Sequence, residues 1–170
     1  MAYLLKPTQP NIMEHPLQNP LRQTIINFII ERPGRKHTVS GWAKELTTSG
    51  QELAAKFAAA PDTEFNRRVV SHLTGIEGWG SSRLRVFLGD PLVQDEYDGY
   101  RPAKDLDWPA MQAAFTATRQ ETLAVVTQLA AANPDASRKV LHNQMGPLTA
   151  QGWLRYLHMH STWEAKKVRG

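Results

Sequence analysis

The sequence contains no cysteine, which excludes disulfides, thiolate metal ligands and a cysteine nucleophile for this chain. Any metal it holds must take nitrogen and oxygen ligands. No apolar run approaches the roughly 20 residues that span a bilayer, and the first residues lack a charged segment followed by an apolar one. The expectation is a soluble cytoplasmic protein with no membrane contact. Internal repeats, low-complexity segments, a phosphate-cradling glycine loop and a Ser/His/Asp array are also missing, which leaves no solenoid and no rival motif-borne chemistry. A basic stripe interleaved with aromatics is lacking too, so the formal charge of +4 argues only weakly for nucleic acid. That charge comes partly from Lys166, Lys167 and Arg169 near the chain end, and from Arg35 and Lys36 in a loop.

What is present is a chain of 170 residues, enough for one domain with a substantial core. Alanine-rich stretches, few long β-branched runs and widely spaced Pro and Gly breaks predict an all-α fold in which strand plays no part. Residues 1–18, with three prolines, read as an extended arm. Asn19 and Pro20 form an N-cap and N1 pair that opens a short helix through Ile25, Phe28 and Ile29, ending before Pro33. Ser40 is the expected cap of a second helix running to about Ala60. Pro61 and Asp62 lead into a third over 63–88, where Phe65, Val69, Leu73, Ile76, Leu84 and Phe87 make an apolar stripe. Gly75, Gly78 and Gly80 are poor helix formers there, and close approach by another backbone or a ligand would explain them. Asp107 and Pro109 open a long helix to about Ala132, and Thr149 the last, to Val168. Four long helices make a bundle (40–170), preceded by the arm and short helix (1–39).

The last helix carries an oddity. At about 100° per residue, Trp153, Leu157, His160, Glu164 and Val168 share one face, with His160 and Glu164 near the middle of the apolar arc. Burying an imidazole and a carboxylate one turn apart is costly unless each has a partner, and one metal ion would satisfy both. His72, midway along another long helix, completes a set of two imidazoles and a carboxylate with positions left for water or substrate. The two histidines should then bring their nitrogens within about 3 to 4 Å of each other. A plain core histidine bonded to a carboxylate or carbonyl, with Glu164 at the helix rim, fits the same spacing. His158 points elsewhere, to the bundle surface or a subunit contact. His142, in the loop before the last helix, either meets a ligand or, more commonly for a loop histidine, bonds solvent or a carbonyl. His15 and His37 lie in loops with no visible partner. Trp79, Tyr97, Tyr100 and Trp108 are either pocket walls or ordinary core. Asp95, Glu96 and Asp98 read as a solvated loop.

The run FNRRVVSHLTGIEGWGSSRLRVFLG, with His72 and an aromatic seven residues on, resembles the second helix of the DinB/YfiT-like superfamily of metalloproteins. The end, GPLTAQGWLRYLHMHSTWEAKKV, resembles that family's last helix, where a G-x-L-T turn precedes a histidine motif. The resemblance covers about residues 40–168. It implies a four-helix bundle, often a homodimer, with a divalent metal held by His72, His160 and the position of Glu164. The family more often has histidine where Glu164 stands. Glutamate can ligate zinc, nickel, manganese or iron, so the ion's identity stays open. The implied activities are those of a metal-dependent hydrolase or a thiol-dependent transferase on a small-molecule substrate, the metal lowering the pKa of a water or polarising a substrate group. A bundle that has lost the metal and binds a small ligand or a partner non-catalytically is the alternative.

Overall fold

Each long helix begins where a short polar side chain accepts a backbone N–H of the first turn. In the computed structural model, which describes residues 19–170, Thr63 accepts from Asn66 at 3.1 Å, Asp107 from Ala110 at 2.8 Å and Thr149 from Gly152 at 3.1 Å. These caps open α4 (Glu64–Val86), α5 (Trp108–Ala132) and α6 (Ala150–Glu164). The cap of α3 (Val39–Ala59) is Thr38, bonded to the Gly41 N–H at 3.0 Å, in place of the expected Ser40. Asn19 caps α1 (Pro20–Ile26) by accepting from Leu21 at 3.0 Å. The arm read over residues 1–18, with His15, lies outside the described residues.

The chain is mostly helical. α3 and α4 each pack on both α5 and α6, so the four long helices enclose a common interior. Toward one end the core gathers Trp42, Leu46, Trp79, Val126, Trp153 and Leu157. Toward the other it gathers Phe57, Val70, Leu73, Phe115 and Ala165. Where the two meet, Arg119 pairs with Glu77 at 2.8 Å, donates to the Leu46 carbonyl at 2.8 Å, and reaches Ser49 and Ser161 at 3.2 Å each. One guanidinium thus ties together all four long helices.

Three expectations need correction. The first helix does not stop before Pro33: a π-helical turn (Asn27–Glu31) carries it into α2 (Arg32–Gly34). There the Arg32 N–H bonds back five residues to the Asn27 carbonyl, and the wider turn accommodates a proline without an N–H. The turn also buries Glu31, whose carboxylate accepts the Thr149 N–H at 2.8 Å and hydroxyl at 2.9 Å at the start of α6, where the helix dipole favours negative charge. Along the outer side of this segment Leu21, Ile25, Phe28 and Ile29 stay exposed.

Strand does play a part. The segment before α6, expected as loop, is an antiparallel hairpin of β1 (Lys139–His142) and β2 (Gly146–Thr149), pairing His142 with Gly146 and Val140 with Leu148. Val140, His142 and Leu148 are buried.

Nor is the segment after α4 simply solvated. Asp95 accepts from the buried Arg83 at 2.7 Å and from the Tyr100 hydroxyl at 2.6 Å, while its carbonyl takes the Asn143 amide at 2.8 Å. These bonds set a 3-10 turn (Tyr97–Tyr100) against α4. The glycines of α4 make that contact possible: a Cβ at Gly75 would lie 2.8 Å from the Tyr97 carbonyl oxygen and 2.9 Å from Arg101 Cγ. Gly80 makes the same allowance for Leu157 of α6. Among the described residues no helix is long and apolar enough to cross a membrane.

Candidate metal centre

His72 leaves α4 and His160 leaves α6 on the sides that face each other, because both follow the apolar stripe of their helix. Their ring centres are 5.2 Å apart with planes at 57°. Tyr97, brought over by the 3-10 turn, stands edge-on to His72 at 4.9 Å. Tyr156, one turn before His160, lies 5.5 Å from it. Neither imidazole ring makes a hydrogen bond among the described residues, and the buried Nδ1 of His160 has no partner there.

Burial, followed by the charge of Arg101, holds the His72 imidazole below its ordinary value, with Glu164 opposing. His160 is lowered to about 4 by burial first and by His72 next, again against the pull of Glu164. Both rings are therefore neutral near pH 7 and each offers a lone pair, the form a metal requires. Burial also raises the Tyr156 phenol, with Tyr97 and Glu164 adding to the effect, so its hydroxyl keeps its proton.

Glu164 is placed differently. It sits close enough to act electrostatically on both histidines, yet its two oxygens accept from Lys167 Nζ at 2.8 and 2.7 Å. Burial pulls its pKa up, but the Lys167 hydrogen bond and charge, then His160 and His72, leave it below the ordinary carboxylate value. Among the described residues, no group of three or more His, Asp or Glu side chains is arranged to hold a metal ion. The fold brings His72 and His160 together and leaves Glu164 at the rim, paired with a lysine.

A histidine weighed only as a loop residue joins the pair. His142, at the end of β1, is buried, 3% exposed. Its ring stacks on Trp153 at 5.0 Å and meets Trp79 at 4.9 Å and Tyr156 at 4.6 Å at right angles. With His72 and His160 it lines a cavity of about 230 Å³, walled also by Ile76, Tyr97 and Met145. Trp79 and Tyr97 are thus pocket walls, whereas Trp108 is core, its indole N–H given to the Ala60 carbonyl at 3.2 Å. His158, expected at the surface or a subunit contact, is half-buried with its ring 5.7 Å from Trp42. His37 also has a partner, the same Trp42 at 4.9 Å.

A larger opening of about 780 Å³, beside the start of α4, is lined by Arg67, Arg68, Arg101 and Lys104. Its three arginines are already engaged by Asp62, Glu64 and Asp98. Among the described residues no histidine lines it. No family model, curated protein or solved structure matches this chain.

Proposed function

We propose that this chain is a metal-binding helical-bundle protein of the DinB/YfiT-like type, a metal-dependent hydrolase or thiol-dependent transferase. Its divalent ion (Zn, Ni, Mn or Fe) would be held by His72, His160 and Glu164. The observation that carries the reading is a pair of neutral imidazoles from facing helices, 5.2 Å apart between ring centres and, among the described residues, free of hydrogen bonds. Two nitrogens at about 2.1 Å from one ion lie roughly 3.4 Å apart, which rings at this separation can reach. Glu164 would complete the set by exchanging Lys167 for the ion. Bound there, a divalent ion supplies Lewis-acid polarisation of a substrate group. Around it the chain offers two phenols, Tyr97 and Tyr156, and an apolar wall. We take the active assembly to be a homodimer in a soluble, cytoplasmic protein, and light scattering that reports a monomer at micromolar concentration would remove the dimer.

Metal titration of the chelator-stripped protein, with occupancy read by elemental analysis, tests the centre. His72→Ala and His160→Ala should each weaken retention by more than about 100-fold, exceeding the loss usual for an outer-shell partner. Glu164→Gln should weaken it strongly, since an amide replaces an anion, while Glu164→His should keep it and Lys167→Ala should strengthen it. Equal occupancy in wild type and both histidine variants would end the metal reading.

The lysine on Glu164 favours a second reading: a bundle that has lost the ion and uses the aromatic cavity to hold a small molecule without catalysis. Wild-type protein that retains no metal while its cavity binds small molecules would select it.

A further inference from the structure

His142 is the one histidine of the cavity whose proton can be placed from its contacts. Its Nδ1 accepts the backbone N–H groups of Gln144 at 3.1 Å and Met145 at 3.2 Å, both from the hairpin turn. An imidazole nitrogen that faces two donors must present a lone pair, so in the neutral ring the proton sits on Nε2. Burial first, then the charges of Arg83 and His160, lower the ring's pKa to about 3, against a small opposing pull from its own backbone carbonyl. The neutral ring is therefore the form present near pH 7.

This tautomer excludes one role and defines another. To bind a metal through Nε2, His142 would have to move its proton to Nδ1, where it would confront two N–H groups. The ring therefore cannot serve as a third ligand beside His72 and His160, although all three line one cavity. What it has is an N–H on the far side of the ring from the turn. That nitrogen is buried and has no hydrogen-bond partner among the described residues, an unfavourable state unless an acceptor is supplied. Stacking on Trp153 and the perpendicular contacts with Trp79 and Tyr156 leave the ring little freedom to turn.

We infer that His142 is the fixed hydrogen-bond donor of this cavity, its Nε2–H gripping an acceptor oxygen of a small molecule with an apolar body bound beside His72 and His160. The class of ligand follows from the wall. Ile76, Trp79, Tyr97, Met145 and Tyr156 supply apolar and aromatic surface, and no lysine or arginine lines the cavity among the described residues. The one carboxylate, Glu96, already accepts the Asn143 amide at 2.9 Å. A neutral carbonyl compound, or one with a single negative charge, suits such a wall. A phosphate ester does not. The inference stands with or without an ion at His72 and His160, so it is tested on chelator-treated protein.

Long-range proton–nitrogen NMR of the labelled full chain should show His142 with Nδ1 unprotonated and Nε2 protonated, unchanged from pH 8 to pH 5. Titration with acetophenone should shift the His142 Nε2–H resonance, and titration with ethylbenzene, which lacks the oxygen, should not. His142→Asn keeps an acceptor for the Gln144 and Met145 N–H groups, but its amide N–H is one atom short of the Nε2 position, so the donor that reaches the ligand is lost. It should weaken acetophenone about five- to tenfold, the worth of one hydrogen bond, and leave ethylbenzene within about twofold. A proton on Nδ1 would overturn the inference. So would an Nε2–H unmoved by acetophenone, the result expected if it stays against the Tyr156 or Trp79 ring, or equal losses of both probes in the variant. Should His142→Asn fail to fold, the wild-type spectra decide alone.

Discussion

At His142 the same burial that fixes the tautomer ties folding to pH. An imidazole in the unfolded chain titrates near 6.5, while the folded value is about 3. Above pH 6.5 the ring is neutral in both states and contributes no pH dependence. Below it the unfolded chain takes up a proton that the folded chain refuses, so stability falls as pH drops from 6.5 toward 3, at up to about 1.4 kcal/mol per pH unit for this ring. Urea denaturation at pH 7 and pH 5 should therefore show a loss in wild type that is smaller, by about 1–2 kcal/mol, in His142→Asn. An equal loss in both would show that the folded ring accepts the proton.

At the scale of elements, the cavity is closed by a turn that rests on a glycine. Gly75→Ala should push the Tyr97–Tyr100 turn off α4, because the added methyl would meet the Tyr97 carbonyl, which is backbone and cannot swing aside as a side-chain tip can. The expected cost is about 1–3 kcal/mol, as for other insertions into a packed contact. A thermal melt measures it, and the His72 ring resonances should move as Tyr97 withdraws. An unchanged melt with unchanged resonances would mean that the turn does not depend on this contact. Gly80→Ala, on the same helix, should instead separate α4 from α6 at Leu157 and leave the turn in place.

For the whole molecule, the buried Arg119–Glu77 pair is the point on which all four long helices converge. Replacing Arg119 by Ala removes the bonds to Leu46, Ser49 and Ser161 and leaves the Glu77 carboxylate buried without its cation. Breaking one side of such a pair costs about 3–5 kcal/mol. Replacing both residues by Met should recover much of that loss, since apolar side chains of similar size avoid the desolvation of two charges. Urea unfolding of the two variants separates these outcomes. A double variant as unstable as the single one would mean that the helices need the hydrogen bonds of Arg119 to pack.

The sequence by itself determined the helices: α5 and α6 open at Asp107 and Thr149 as read from it, α4 starts within one residue of its expected position, and the buried face of α4 follows its apolar stripe, because capping and periodicity are local properties of the chain. It also placed His72 and His160 on inner faces, which is why the structure brings them together. What only tertiary structure decided depends on contacts between distant residues. The hairpin strands of four residues each, one containing Pro147, carry too weak an alternation to read. The π turn makes sense only beside the start of α6, where Glu31 finds Thr149. Whether Glu164 meets the histidines or Lys167 is a competition between neighbours on one helix and ligands across two, and spacing does not rank them. The tautomer of His142 is set by two backbone N–H groups that point at the ring only once the hairpin has closed.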